Sequence, residues 1–254
     1  MKSYLSDQFV KIGNVRSSMI QIKYGVPQGS ILGPLLFLIY INDLPSATNF
    51  YIKLFADDTF LCTQNTDLKA LETKINFEIK KVYEWLASNK LTLNISKSKF
   101  MIFYNKKKKK KNYHTISVNF NGKPLERCTS YKYLGIIIDD KLKWNEHIQH
   151  ICTKVSKACG ILAKIRNCAN FELLKEVYYA LFYSYIRYGI VTWGNASDIL
   201  LNTQRVLNHR AARIMTFAPF GRIDVNPLLN YLEIFDIDKN FSSETTKLVF
   251  KRKK

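Results

Sequence analysis

The sequence predicts an α+β fold in two parts, a mixed strand-and-helix part followed by a basic, mainly helical part. Three observations predict it. Short β-prone apolar runs alternate with two helical stretches up to about residue 142. From Trp144 onward the apolar residues recur at helical spacing instead. Charge changes along the chain as well: residues 1–105 carry 12 basic and 8 acidic side chains, whereas residues 106–254 carry 27 and 12. The two expected domains are therefore 1–142 and 143–254, with the boundary near 140–145.

Taken in order, Gln8–Ile12 and Met19–Tyr24 read as strands joined by a turn containing Gly13-Asn14. Gly25–Ser30 reads as a loop by its Gly and Pro content, and Ser30 is placed to cap an apolar helix over Leu32–Asn42. Tyr51–Ala56 and Thr59–Thr63 are β-prone runs flanking Asp57-Asp58, the pattern of a tight hairpin. Leu71, Ile75, Ile79, Val82 and Leu86 give a helix over 67–89 with Asp67 at its start. Leu91–Leu93, Phe100–Tyr104, Ile116–Phe120 and Tyr131–Ile138 read as strands. His147–Asn167, Phe171–Tyr188 and Ile199–Phe217 read as helices. The low-complexity run Lys106–Lys111 reads as a solvated loop.

Composition narrows the function classes. With 47% apolar and 13% aromatic residues, the chain of 254 residues can bury a core, which excludes disorder throughout. Its net charge of +19 favours a polyanionic partner, because each neutralised phosphate releases counterions. Nucleic acid leads and a membrane surface trails. The longest apolar stretch, Ile31–Ile41, contains Pro34 and is shorter than the roughly 20 residues a membrane span needs. Residues 1–20 show no hydrophobic signal core. The five cysteines include no C-x-x-C pair and read as reduced thiols. An intracellular protein, cytoplasmic or nuclear, is the expectation.

Two phrases could carry chemistry. Adjacent strand residues point to opposite faces, so the carboxylates of Asp57 and Asp58 converge only where the backbone turns. At a hairpin tip they could hold Mg²⁺, a hard cation that keeps room for water and phosphate. Aspartate also simply favours turns, and Asp139-Asp140 is a second such pair. Gly25-Val-Pro-Gln-Gly-Ser30, ahead of a helix, can present amides to a phosphate, or can be an ordinary helix entry. His147, His150 and Cys152 lie close in sequence but lack a fourth partner at zinc-site spacing. Tyr178, Tyr179, Tyr183, Tyr185 and Tyr188 could stack bases or fill a core.

Gly25-Val-Pro-Gln-Gly-Ser-Ile-Leu-Gly-Pro-Leu-Leu-Phe37, Ile41-Asn-Asp-Leu44 and Phe55-Ala-Asp-Asp58, in this order and spacing, resemble the reverse transcriptases of non-LTR retrotransposons, jockey-type LINE elements in particular. Trp85–Asn94 with Ile95-Ser-Lys-Ser-Lys99 resembles that family's fourth palm motif, and Tyr133–Asp139 its primer-grip hairpin. Tyr185–Gly194 and Gln204–Arg213 resemble the segment that succeeds the polymerase core. The resemblance implies a right-hand polymerase palm over 1–142, lacking the fingers, then a thumb and C-terminal segment over 143–254. It implies an RNA-directed DNA polymerase that uses Mg²⁺, an RNA template, a DNA primer and deoxynucleoside triphosphates. Asp57 would be a direct metal ligand and Asp58 its neighbour, supporting the metal or the primer end. Gln28 and Gly29 would line the nascent base pair, Lys97 would approach the leaving pyrophosphate, and Tyr133, Leu134 and Gly135 would support the primer. One departure is clear: the family's first metal-binding aspartate lies upstream of the glycine loop, and here Asp7 is the sole acid before Gly25. The expectation is a polyprotein fragment that is inactive alone, with a noncatalytic nucleic-acid-binding remnant as the alternative.

Overall fold

The computed structural model of the chain describes residues 7–21, 25–26, 29–104, 116–219, 221 and 224–252. It divides into two compact units: Met1–Phe100 with Asn105–Cys128, and Met101–Tyr104 with Thr129–Lys254. Strands and helices mix in the first unit and helices dominate the second, an α+β chain. Among the described residues no helix is long and apolar enough to cross a membrane.

In the first unit, β1 (Asp7–Gln8) pairs antiparallel with β4 (Ile20–Gln21), and β2 (Lys11–Ile12) with β3 (Val15–Arg16). The pairs nest around a turn at Gly13-Asn14, where Gly13 takes φ +59. Helix α1 (Leu32–Ile41) begins where the Gly33 amide donates to Ser30 Oγ at 3.0 Å, as capping by Ser30 predicts. A 3₁₀ turn at Leu44–Ala47 leads into the hairpin of β5 (Tyr51–Phe55) and β6 (Asp58–Cys62), paired from Tyr51↔Cys62 to Phe55↔Asp58. Helix α2 (Leu68–Ser88) starts with Asp67 accepting from the Ala70 amide at 2.9 Å, and it buries Glu78, Ile79 and Val82.

Several expected strands differ: Gln8–Ile12 is divided between β1 and β2, Tyr131–Ile138 is a two-stranded hairpin rather than one strand, two others are shorter than their apolar runs suggest, and one is absent. Leu91–Leu93 forms no strand, because the chain is still closing α2: the Leu91 amide donates to Leu86 O at 2.8 Å, with Lys90 left-handed at φ +55. The run Phe100–Tyr104 contributes only β7 (Lys99–Phe100), and Ile116–Phe120 only β8 (Asn119–Phe120), which pairs with β9 (Lys123–Pro124). Strand β10 (Glu126–Arg127) pairs in parallel with β7. Ile116 and Val118 are buried, but Asn76 on α2 takes the Asn119 amide through Oδ1 and gives its Nδ2 proton to Ser117 O. Side-chain bonding thus replaces a ladder. The lysine run Lys106–Lys111 lies outside the described residues.

In the second unit, β11 (Ser130–Tyr133) and β12 (Ile136–Asp139) form a hairpin that packs with α3 (Asn145–Ile165). Helix α3 buries Ile148, Ile151, Val155, Ala158, Cys159 and Leu162, one stripe at helical spacing. The expected helix Phe171–Tyr188 runs on from Phe171 to Arg187, as α4 (Phe171–Tyr178), a π-helical turn at Tyr179–Tyr183 and α5 (Ser184–Arg187). Side-chain bonds hold the π-helical turn at its start and its end. Buried Tyr178 donates to Asn208 Oδ1 at 2.8 Å, and Tyr183 donates to Asn240 Oδ1 at 2.8 Å, anchoring the segment on either side of the wide turn. After the short helix α6 (Ile190–Trp193) comes α7 (Asp198–Thr216), which packs on α3. Two C-terminal helices, α8 (Asn226–Leu232) and α9 (Ile237–Arg252), were not among the predicted elements.

Candidate functional site

Strand β5 buries one face in part: Ile52 and Leu54 are half-buried while Tyr51, Lys53 and Phe55 are exposed, and in β6 Leu61 alone is half-buried. The connection between the strands is two residues long, Ala56-Asp57. Ala56 carries φ +49, a left-handed conformation uncommon for a residue with a Cβ, and such strain concentrates at functional turns. Asp57 therefore stands in the turn itself, and Asp58 is the first paired residue of β6, as a tight hairpin requires. Both are exposed, and neither carboxylate has a side-chain or backbone partner among the described residues.

The base of this hairpin is held by a buried carboxylate. Glu78 on α2 is 3% exposed and accepts from Thr48 Oγ1 (2.7 Å), the Asn49 amide (2.7 Å), Asn49 Nδ2 (3.2 Å) and Lys81 Nζ (2.9 Å). The Asn49 amide bond, with help from Thr48 and Lys81 and against the opposing effect of burial, lowers its pKa to about 2. Asn49 and Phe50 run directly into β5, so this clamp fixes where the strand bearing the acidic tip begins. The motif reading missed Glu78. Its signal was present, since an acid at 78 sits between Ile75 and Val82 on the apolar stripe of α2.

Other expected residues of this unit are placed individually. Gly29 is exposed with φ +79, a backbone state that favours glycine. Gln28 lies outside the described residues. Lys97 is exposed in a turn that Asn94 organises: the Lys97 amide donates to Asn94 O at 3.2 Å and Ser96 Oγ donates to Asn94 Oδ1 at 2.7 Å.

A donor set of two adjacent carboxylates suits Mg²⁺, which is commonly held by one or two carboxylates with waters and substrate phosphates completing an octahedron. A pair of ions about 4 Å apart needs a further shared carboxylate. Among the described residues no group of three or more His, Cys, Asp or Glu is arranged to hold a metal. Asp57 and Asp58 are two such carboxylates, adjacent at the turn of the hairpin.

In the second unit the β11–β12 hairpin turns at Leu134 (φ +45) and Gly135 (φ +82), the two left-handed residues of a tight hairpin. Tyr188 pins it: its hydroxyl donates to Leu134 O at 2.6 Å, and a Cβ at Gly135 would lie 3.2 Å from its ring. Tyr133 is half-buried at the end of β11, paired with Ile136. Asp139 is no second acidic tip. Its Oδ1 accepts from the amides of Lys141 and Lys143 at 3.1 Å, and its Oδ2 from Lys143 and Trp144 at 2.9 and 2.8 Å. Burial raises its pKa, but the amides of Lys143, Trp144 and Lys141 outweigh that and lower it. His147 is buried between the rings of Trp144 and Trp193 and accepts the Ile137 amide at Nδ1, 3.3 Å. Of the five tyrosines, Tyr178 is core, whereas Tyr185 and Tyr188 are exposed.

Residues 1–138 match the family model described as reverse transcriptase (RNA-dependent DNA polymerase). The chain is similar to the "RNA-directed DNA polymerase from mobile element jockey" of Drosophila melanogaster, 28% identical over 87% of this chain and 25% of that protein. It is likewise similar to the protein of the same name from Drosophila funebris, 30% identical over 81% of this chain and 23% of that one. Similarity to the "Probable RNA-directed DNA polymerase from transposon BS" of Drosophila melanogaster covers 97% of this chain and 28% of the relative, at 25% identity. The chain spans about a quarter of the length of these relatives. No solved structure matches it.

Proposed function

The chain belongs to the reverse transcriptase family, and from that premise we propose that it is the part of a mobile-element RNA-directed DNA polymerase that carries the paired-aspartate tip and the thumb. The palm portion is residues 1–142 and the basic helical thumb with its C-terminal segment is 143–254. The observation that supports this best is the tight hairpin with Asp57 in its two-residue turn, behind a left-handed Ala56, and Asp58 opening β6.

Asp57 and Asp58 would hold Mg²⁺, and the ion supplies charge neutralisation at the phosphates when bound. The chain's own residues position and compensate. Gln28 and Gly29 line the nascent base pair, where the glycine lets a base approach the backbone. The Lys97 ammonium offsets negative charge on the departing pyrophosphate or gives it a proton. Tyr133, Leu134 and Gly135 support the primer strand, on a turn that Tyr188 keeps rigid. The reaction is attack of a primer 3′-hydroxyl on the α-phosphate of a deoxynucleoside triphosphate, templated by RNA; positioning and electrostatics provide the acceleration.

A second reading has an observation of its own. The excess of 15 positive charges over residues 106–254 suffices for nucleic-acid binding without chemistry. The two separate on one variant. In a polypeptide that joins this chain to an upstream fingers-and-palm segment, Asp57→Ala should leave template–primer binding intact and abolish extension. Binding and extension both unchanged by Asp57→Ala would leave the noncatalytic reading standing.

A further inference from the structure

We propose that Lys132, His150 and Lys154 form a phosphate-contact site where β11 meets α3, so that the chain grips nucleic acid more tightly as the pH falls. This rests on the nucleic-acid reading above and adds a named site and a regulation to it. The fold brings the three together. Lys132 pairs with Ile137 across the hairpin, and the Ile137 amide points out of the two-stranded ladder to donate to His147 Nδ1. His150 comes three residues after His147 and Lys154 four after His150, one helix face at its usual spacing. Lys132 and Lys154 are exposed and His150 is half-buried.

Among the described residues no carboxylate neutralises the cluster. From β12, Asp139 spends both carboxylate oxygens on the amides of Lys141, Lys143 and Trp144. Glu146, one turn before His150 on α3, is exposed and forms no ion pair with it among the described residues. His147 is buried and its pKa is pushed down to about 4 by burial and by His150, so it stays neutral across the range in question. Burial, then the charges of Lys132 and Lys154, lower the pKa of His150 from its ordinary 6.5. Two ammonium groups flank an imidazole whose protonation they oppose, and an anion would relieve that opposition. A phosphate placed among them removes the repulsion and raises the proton affinity of the imidazole, so by linkage acid strengthens binding.

The test is anisotropy with a rhodamine-labelled DNA duplex and the full chain, titrated at pH 8 and pH 5.5 over a range of salt. The chain should bind about five-fold more tightly at pH 5.5, and the slope of log K against log salt should steepen by about 0.9, one more phosphate contact. His150→Gln should remove the pH dependence, and Lys132→Gln or Lys154→Gln should weaken binding at both pH values. In proton NMR, the titration midpoint of the His150 imidazole should rise when duplex is added and should also rise in Lys154→Gln, a readout that does not depend on affinity. Salt-dependent binding with the same pH response in His150→Gln overturns this site alone. An absence of binding at either pH overturns it together with the nucleic-acid reading.

Discussion

Replacing Glu78 by glutamine should destabilise the chain far more than a surface substitution, and its partners set the size of the effect. The carboxylate is 3% exposed and takes four donors. A glutamine keeps one oxygen, for Thr48 and the Asn49 amide, but turns an NH₂ group toward Asn49 Nδ2 and the Lys81 ammonium, two donors it cannot satisfy. A carboxyl that titrates near 2 when folded and at 4.5 when unfolded contributes about 3 kcal/mol at neutral pH. With solvent screening, about 2–3 kcal/mol is the expected loss. Because the folded pKa is the depressed one, this contribution is complete above 4.5 and disappears as the pH falls through 2. Urea denaturation of both proteins at pH 7 and pH 3 measures it: the gap between them should shrink to about 1 kcal/mol at the lower pH. A gap below about 0.5 kcal/mol at pH 7, or one that does not narrow in acid, would refute the clamp.

The same geometry sets three other outcomes. Gly135→Ala must hold a side chain at φ +82 with its Cβ 3.2 Å from the Tyr188 ring, and should cost about 1–2 kcal/mol in thermal unfolding; an unchanged melting temperature would contradict the pinned turn. Asp139→Asn loses charge-assisted acceptance from three amides and should cost about 1–2 kcal/mol at pH 7. Its lowered pKa makes that cost fade as the pH drops below the usual carboxylate range, which the same denaturation series would show. Lys97→Ala, in a polypeptide competent for extension, should slow single-turnover nucleotide incorporation by about 100-fold with little change in template–primer affinity.

How much of this was legible in the sequence varied with how local the determining physics is. The Asp57-Asp58 hairpin, the capping roles of Ser30 and Asp67 and the apolar stripe of α2 depend on neighbours within a few residues, and the periodicities showed them. The strand expected at Leu91–Leu93 failed because a helix C-terminus was competing for the same amides, which apolar content does not reveal. The π-helical turn at Tyr179–Tyr183 is held by Tyr178 and Tyr183, which reach Asn208 and Asn240, 30 and 57 residues further on. No local pattern encodes that. The two aspartate pairs look alike as dipeptides and differ in the backbone that comes after them: Asp139 has a helix entry whose amides it satisfies, and Asp57 runs straight into strand β6. Glu78 was readable in principle, as an acid interrupting an apolar face, and its partners Thr48 and Asn49 were not.

The most direct measurement of the central claim is primer extension on an RNA template with Mg²⁺, comparing the 254-residue chain alone with the same chain joined to the upstream segment of the Drosophila melanogaster jockey polymerase. Asp57 and Asp58 offer two carboxylates, and a two-ion centre needs at least one more to hold its ions against their mutual repulsion. The account predicts extension by the joined polypeptide, none by the chain alone, and none by the joined polypeptide carrying Asp57→Ala. Extension by the joined polypeptide that survives Asp57→Ala would contradict it.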